Sequence, residues 1–132
     1  MKSLEEVNAF MDRIAPNIHF SGRRQFTLAV YYTQEALQSG GSEDIRMTKD
    51  IYPQVARATR RALSSTERAI YRGAELCWME GRNEALNHVI GRTLEQKPAP
   101  GTLLRYCAYY CAAGRSYHQE GAGGAPEPAG RG

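Results

Sequence analysis

Arg60 and Arg61 stand just ahead of a stretch, Ser64 to Arg82, in which Ser64, Ser65, Arg68, Arg72 and Glu75 recur at helical spacing along one edge. Guanidinium groups one turn apart, with hydroxyls near a helix start, are the groups that hydrogen-bond phosphate oxygens and base edges. The chemistry this pattern offers is therefore nucleic-acid recognition. The opposite edge carries Ala69, Ile70, Gly73, Ala74, Cys77 and Trp78, an apolar stripe narrow enough to pack inward. Ser64 followed by Glu67 fits a capping box, and Gly81 after Glu80 fits a C-terminal stop. The same features also describe an ordinary amphipathic surface helix. Taken alone the stretch favours that plainer reading, and its approach shifts the balance.

Other chemistry finds less support. Cys107 and Cys111 lie one helical turn apart and His118 follows, but a zinc site needs four ligands, usually at closer knuckle spacing. Thiols buried beside Tyr106, Tyr109 and Tyr110 are the reading we adopt. His19 and His88 have no partner at catalytic spacing. Walker-type, nucleophile-elbow and paired-carboxylate signatures are absent. The expectation is no enzyme, no catalytic residue, no metal ligand and no cofactor.

The elements that would position the arginines can be read from the chain. Its 132 residues suit one domain, and its net charge is only +3. The distribution of charge says more. Between Arg46 and Arg72 lie seven basic residues (Arg46, Lys49, Arg57, Arg60, Arg61, Arg68, Arg72) against Asp50 and Glu67. That local net of +5 leaves −2 for the rest, the footprint of a phosphate-facing surface unless the charges point in unrelated directions. The apolar runs are too short to span a bilayer, and Glu5, Glu6 and Asp12 argue against a secretory signal. An odd set of cysteines, Cys77, Cys107 and Cys111, suits reduced thiols, so a cytoplasmic location is expected.

Helical patterns follow one another. Ser3 caps a helix to Ile14, with Glu6 at its third position and Pro16 ending it. After a connector from Asn17 to Gly22, a second helix runs from Arg23 to Gln38 with Phe26, Ala29, Val30, Thr33 and Leu37 on one face. Gly40-Gly41-Ser42 breaks the chain. Met47 to Ile51 reads as a brief helix leading to Tyr52-Pro53, where a new helix starts and continues to Ala58. A polar turn from Thr59 to Leu63 then precedes the Ser64 helix, which is the spacing of a helix-turn-helix. Asn83 to Ile90 is another helix, closed by Gly91, and Thr102 can cap a last one through Cys111 or Ala112. No strand alternation persists, so the fold class is all-α. We place the domain at residues 1–112 and a flexible Gly/Ala/Pro-rich tail at 113–132.

The run from Met47 to Leu86 resembles the DNA-binding effector domain of the sporulation initiation response regulators, the stage-zero sporulation protein A family. The resemblance rests on Met47-Thr48-Lys49, Tyr52-Pro53 with Val55-Ala56, Glu67-Arg68-Ala69-Ile70, Glu75, Trp78 and Gly81. Ile14 to Gly22, Gly91-Arg92-Thr93 and Lys97-Pro98 extend it to roughly residues 8–112. It implies about six helices and a helix-turn-helix reading a short DNA box through the major groove, within a sporulation programme. Carried over by position, Glu67 and Arg68 match base-reading residues, Thr48 and Lys49 match the segment before the first helix of the motif, and Trp78 matches a core position.

The chain departs from that pattern at Tyr71, where the family has a basic residue, and at Ser65, where it has arginine. Gly73 sits mid-helix at a cost of about 1 kcal/mol relative to alanine. A chain of 132 residues beginning at Met1 leaves no room for a receiver, so either a stand-alone relative or a protein whose control comes from elsewhere is expected. In the leading reading Arg68 takes a guanine edge, Glu67 accepts from a cytosine amine or orients Arg68, and Tyr71 touches a thymine methyl or packs on the surface. Thr48, Lys49, Arg60, Arg61, Ser64, Ser65 and Arg72 hold phosphates, though Arg72 equally suits a solvated charge. Double-stranded DNA is then the partner, with a homodimer on tandem boxes. The competing reading is a protein-interaction module of the same fold that has lost sequence-specific binding and modulates a full-length regulator or RNA polymerase.

Overall fold

Helix α1 (Leu4–Ile14) opens with the expected reciprocal cap. The Glu6 amide donates to the Ser3 hydroxyl at 3.2 Å, and the Ser3 amide donates to the Glu6 carboxylate at 2.8 Å. Val7, Phe10, Met11 and Ile14 face inward, and the helix stops before Pro16, whose ring disfavours helical backbone at Ala15. The computed structural model describes residues 2–16, 21–39, 45–80 and 83–116.

Helix α2 (Ser21–Gln38) begins ahead of the expected Arg23, whose side chain is spent on α1. Its guanidinium pairs with the Asp12 carboxylate and donates to the Ala15 carbonyl at 3.5 Å, which satisfies the end of α1. This helix is the hub of the fold. Phe26, Ala29, Val30 and Thr33 are buried as expected, while Leu37 is only half-buried. Gln25, Thr27 and Gln34 are buried too, so the helix is enclosed well beyond its apolar face. Gln34 is accommodated because its amide accepts from the Lys2 amide at 2.7 Å and donates to the Lys2 carbonyl at 2.9 Å.

A π-helical turn (Met47–Ile51) leads directly into α3 (Tyr52–Thr59), and α4 (Leu63–Glu80), α5 (Asn83–Ile90) and α6 (Pro100–Ala113) complete the chain. The described residues form six α-helices and no strand, so the fold is all-α. Helices α4 and α6 pack most extensively on α2, and α5 lies against α6. The rings of Phe10 and Tyr110 stack at 5.7 Å between centroids and tie α1 to α6. Gly91 closes α5 as expected, with φ at 95° and its amide donating to the Asn87 carbonyl at 2.8 Å.

Two expected caps are overturned. Helix α4 begins at Leu63, so Ser64 lies inside the first turn and caps nothing. The first bond comes instead from Thr66, whose amide and hydroxyl both donate to the Ala62 carbonyl, at 3.0 and 2.9 Å. Helix α6 begins at Pro100 rather than at Thr102. Proline presets the helical φ and has no amide to leave unsatisfied, so it starts the helix without a side-chain cap. Trp78, expected in the core, is half-buried. The expected stop at Gly81, the connector from Asn17 to Phe20, the break at Gly40-Gly41-Ser42 and the tail from residue 117 onward lie outside the described residues. Gly114 ends α6 with φ at 77°.

The mid-helix Gly73 has a packing reason. A Cβ there would stand 2.7 Å from the Gly22 carbonyl oxygen and 2.8 Å from the Phe26 Cβ. Only hydrogen fits where α4 crosses α2, so the glycine admits the close approach of these two helices.

Candidate nucleic-acid interface

The polar segment after Thr59 folds as a Schellman turn. The Arg61 amide donates to the Ala56 carbonyl at 3.0 Å, and the Arg60 amide to the Arg57 carbonyl at 3.3 Å. This geometry puts Arg60 in the left-handed region, at φ 55° and ψ 48°, where glycine is the favoured residue. Only Arg60, Arg61 and Ala62 separate α3 from α4, so the two helices form a helix-turn-helix. Ala62 has no polar side chain to offer, so the amides of Leu63, Ser64 and Ser65 precede the first intrahelical bond.

The expected phosphate-holding and base-reading residues are distributed over three neighbouring pieces. Arg60 and Arg61 are exposed on the turn, Ser64 and Arg68 are exposed on the first half of α4, and Ser65 and Glu67 are half-buried there. Thr48 and Lys49 are exposed on the π-helical turn, which packs against α3. That turn is held by its own side chains: the Asp50 carboxylate accepts from the Arg46 amide at 2.9 Å, and Gln54 donates to the Asp50 carbonyl at 2.6 Å. The Arg105 guanidinium donates to the Ile45 carbonyl and anchors the start of the turn to α6. Arg72 is exposed a turn beyond Arg68. None of Arg60, Arg61, Arg68 and Arg72 forms a salt bridge with a described residue, and Glu67 makes none with Arg68.

Tyr71 is 43% exposed, and its ring meets the ring of Tyr52 edge-on, 6.0 Å between centroids at 75°. Tyr52 itself is buried in the first turn of α3. Burial pushes its phenol well above the ordinary range, and the Tyr71 phenol and then the Glu67 carboxylate push it further, against a small opposing effect of Arg105. The contact of Tyr52 with Tyr71 is not legible in the sequence, because nothing local pairs Tyr52 with a side chain on the next helix. Beyond the tyrosines a cleft of about 420 Å³ runs to Lys97, whose ammonium lies 3.4 Å from the Glu75 carboxylate.

The cysteines take no part in this surface. Cys77, Cys107 and Cys111 are free thiols in the core, where burial pushes Cys77 up to about 12 and Cys111 up to about 11. Among the described residues no group of His, Cys, Asp and Glu is arranged to hold a metal ion, and no helix is long and apolar enough to cross a membrane. His88 sits edge-on to Tyr110 at 5.7 Å, while His19 and His118 lie outside the described residues.

A helix-turn-helix with unpaired cations along its turn and second helix agrees with the comparison to known families, in which residues 7–110 match the family described as Sporulation initiation factor Spo0A C terminal. The match covers most of the chain, and this protein belongs to that sporulation-related family of DNA-binding effector domains, a regulatory family and not a family of enzymes.

Proposed function

We propose that this chain is a transcription regulator that sets α4 into the DNA major groove and reads a short box there. The observation that carries the reading is the set of exposed, unpaired guanidiniums on the turn and the first half of α4. Exposed charge without a salt-bridge partner among the described residues is available to phosphates and base edges. Arg68 makes the bidentate contact to a guanine, and Glu67 accepts from a cytosine amine. Ser64 and Ser65, beside the uncapped amides at the start of α4, hold a phosphate. Thr48, Lys49, Arg60, Arg61 and Arg72 fix the domain on the backbone without reading sequence. The place of action is the cytoplasm, with two copies on tandem boxes.

The test begins with a duplex that the protein itself enriches from a random pool. That duplex and its scrambled counterpart are then titrated at two salt concentrations. Tighter binding to the enriched duplex at both salts supports the reading, and equal binding to the two contradicts it.

A second reading, a protein-interaction module that modulates a full-length regulator or RNA polymerase, draws on Met79. That side chain is 66% exposed beside a groove lined by Trp78, Leu86 and Leu94. Equal binding to both duplexes would favour it.

A further inference from the structure

We propose that Tyr71, held by Tyr52, selects a thymine in the box by packing its ring against the 5-methyl group of that base. The inference rests on α4 being the helix that reads DNA. Tyr71 follows Glu67 and Arg68 by one turn, so it continues their edge of α4. A tyrosine carries no positive charge and cannot make the two-pronged contact by which arginine reads guanine. What it offers is an uncharged ring, and in the major groove thymine alone presents a methyl group to such a surface.

The ring is also held in position. Its edge-on contact with Tyr52 is a favourable aromatic geometry, and Tyr52 is only 2% exposed. Tyr52 follows directly on the π-helical turn and opens α3, so the first helix of the motif sets the position of a side chain on the second. A ring already fixed in its bound position loses less freedom on binding than a long cationic side chain does. Tyr52 is thus a positioning residue, and Tyr71 is the residue that meets the base.

The experiment uses the full chain and the enriched duplex with each thymine replaced in turn by deoxyuridine, which removes only the methyl group. At one thymine the substitution should weaken wild-type binding about fourfold, the worth of one buried methyl. Tyr71→Ala should abolish that penalty while keeping the guanine preference that depends on Arg68. Tyr71→Phe should retain the penalty. Tyr52→Phe should also retain it, whereas Tyr52→Leu should shrink it. Where Tyr52→Leu does not fold, the NMR shifts of the Tyr71 ring protons in the wild type replace it: shifts displaced by the Tyr52 ring are expected, and random-coil shifts would overturn the positioning. A penalty that survives Tyr71→Ala at every thymine overturns the inference, and so does one lost in Tyr71→Phe, which would assign the contact to the hydroxyl. Preference for the enriched duplex with no methyl penalty overturns this inference alone. No preference at all overturns the DNA-reading role with it.

Discussion

Gly73 on α4 and Gly22 on α2 approach so closely that a Cβ on Gly73 would stand 2.7 Å from the Gly22 carbonyl oxygen. Gly73→Ala should therefore lower stability by about 1–3 kcal/mol, the usual cost of overpacking, although alanine alone favours a helix by about 1 kcal/mol. Urea denaturation measures it. An unchanged or raised midpoint would mean that α2 and α4 do not meet at this point.

Local signals were legible in the sequence and distant ones were not. The Ser3–Glu6 cap, the Tyr52-Pro53 helix start and the Gly91 stop each depend on a few adjacent residues, and each stands as read. The starts of α4 and α6 differ from the reading: Ala62 and Ala99 stand at the caps that Ser64 and Thr102 suggested, with Pro100 as the first residue of α6. The central place of α2 was hidden because Gln25, Thr27 and Gln34 lie beyond its apolar face and are buried all the same, and Gln34 is satisfied by Lys2, far away in the chain. The same blindness made Gly73 read as a weak point and left the contact of Tyr52 with Tyr71 unread. The arginine surface was legible because it lies within one short stretch.

Arg60 holds a left-handed conformation that glycine adopts without strain. Arg60→Gly should therefore raise stability by about 1 kcal/mol while weakening binding to all duplexes alike. Thermal melts and duplex titrations on the same preparation check both halves. A less stable variant would contradict the strain at Arg60, and one that binds DNA as tightly as the wild type would contradict the assignment of Arg60 to a phosphate.

The buried thiols give a pH dependence of definite sign. Cys77 and Cys111 keep their protons in the folded chain up to about 12 and about 11, against an ordinary value of 9.0. Unfolded thiols ionise first, so this contribution to stability is complete below about pH 9 and is lost as pH rises toward those values. Urea midpoints should be level in this respect from pH 7 to 9 and fall above. In native protein at pH 8 an aromatic disulfide reagent should label the three cysteines only as fast as the chain unfolds. Rapid labelling of any one of them would place it outside the core.

Lys49 sits exposed on the π-helical turn rather than on α4. Lys49→Ala should weaken enriched and scrambled duplexes equally and reduce the salt slope by about 1. A selective loss on the enriched duplex would make Lys49 a base contact instead.

The central claim is that α4 chooses a sequence through Arg68. The ratio of affinities for the enriched and scrambled duplexes, measured for wild type and Arg68→Ala under one salt condition, tests it most directly. The ratio should fall toward one in the variant, a loss of about 1–3 kcal/mol of discrimination, with the scrambled duplex bound only slightly more weakly. A ratio that Arg68→Ala leaves unchanged would contradict it.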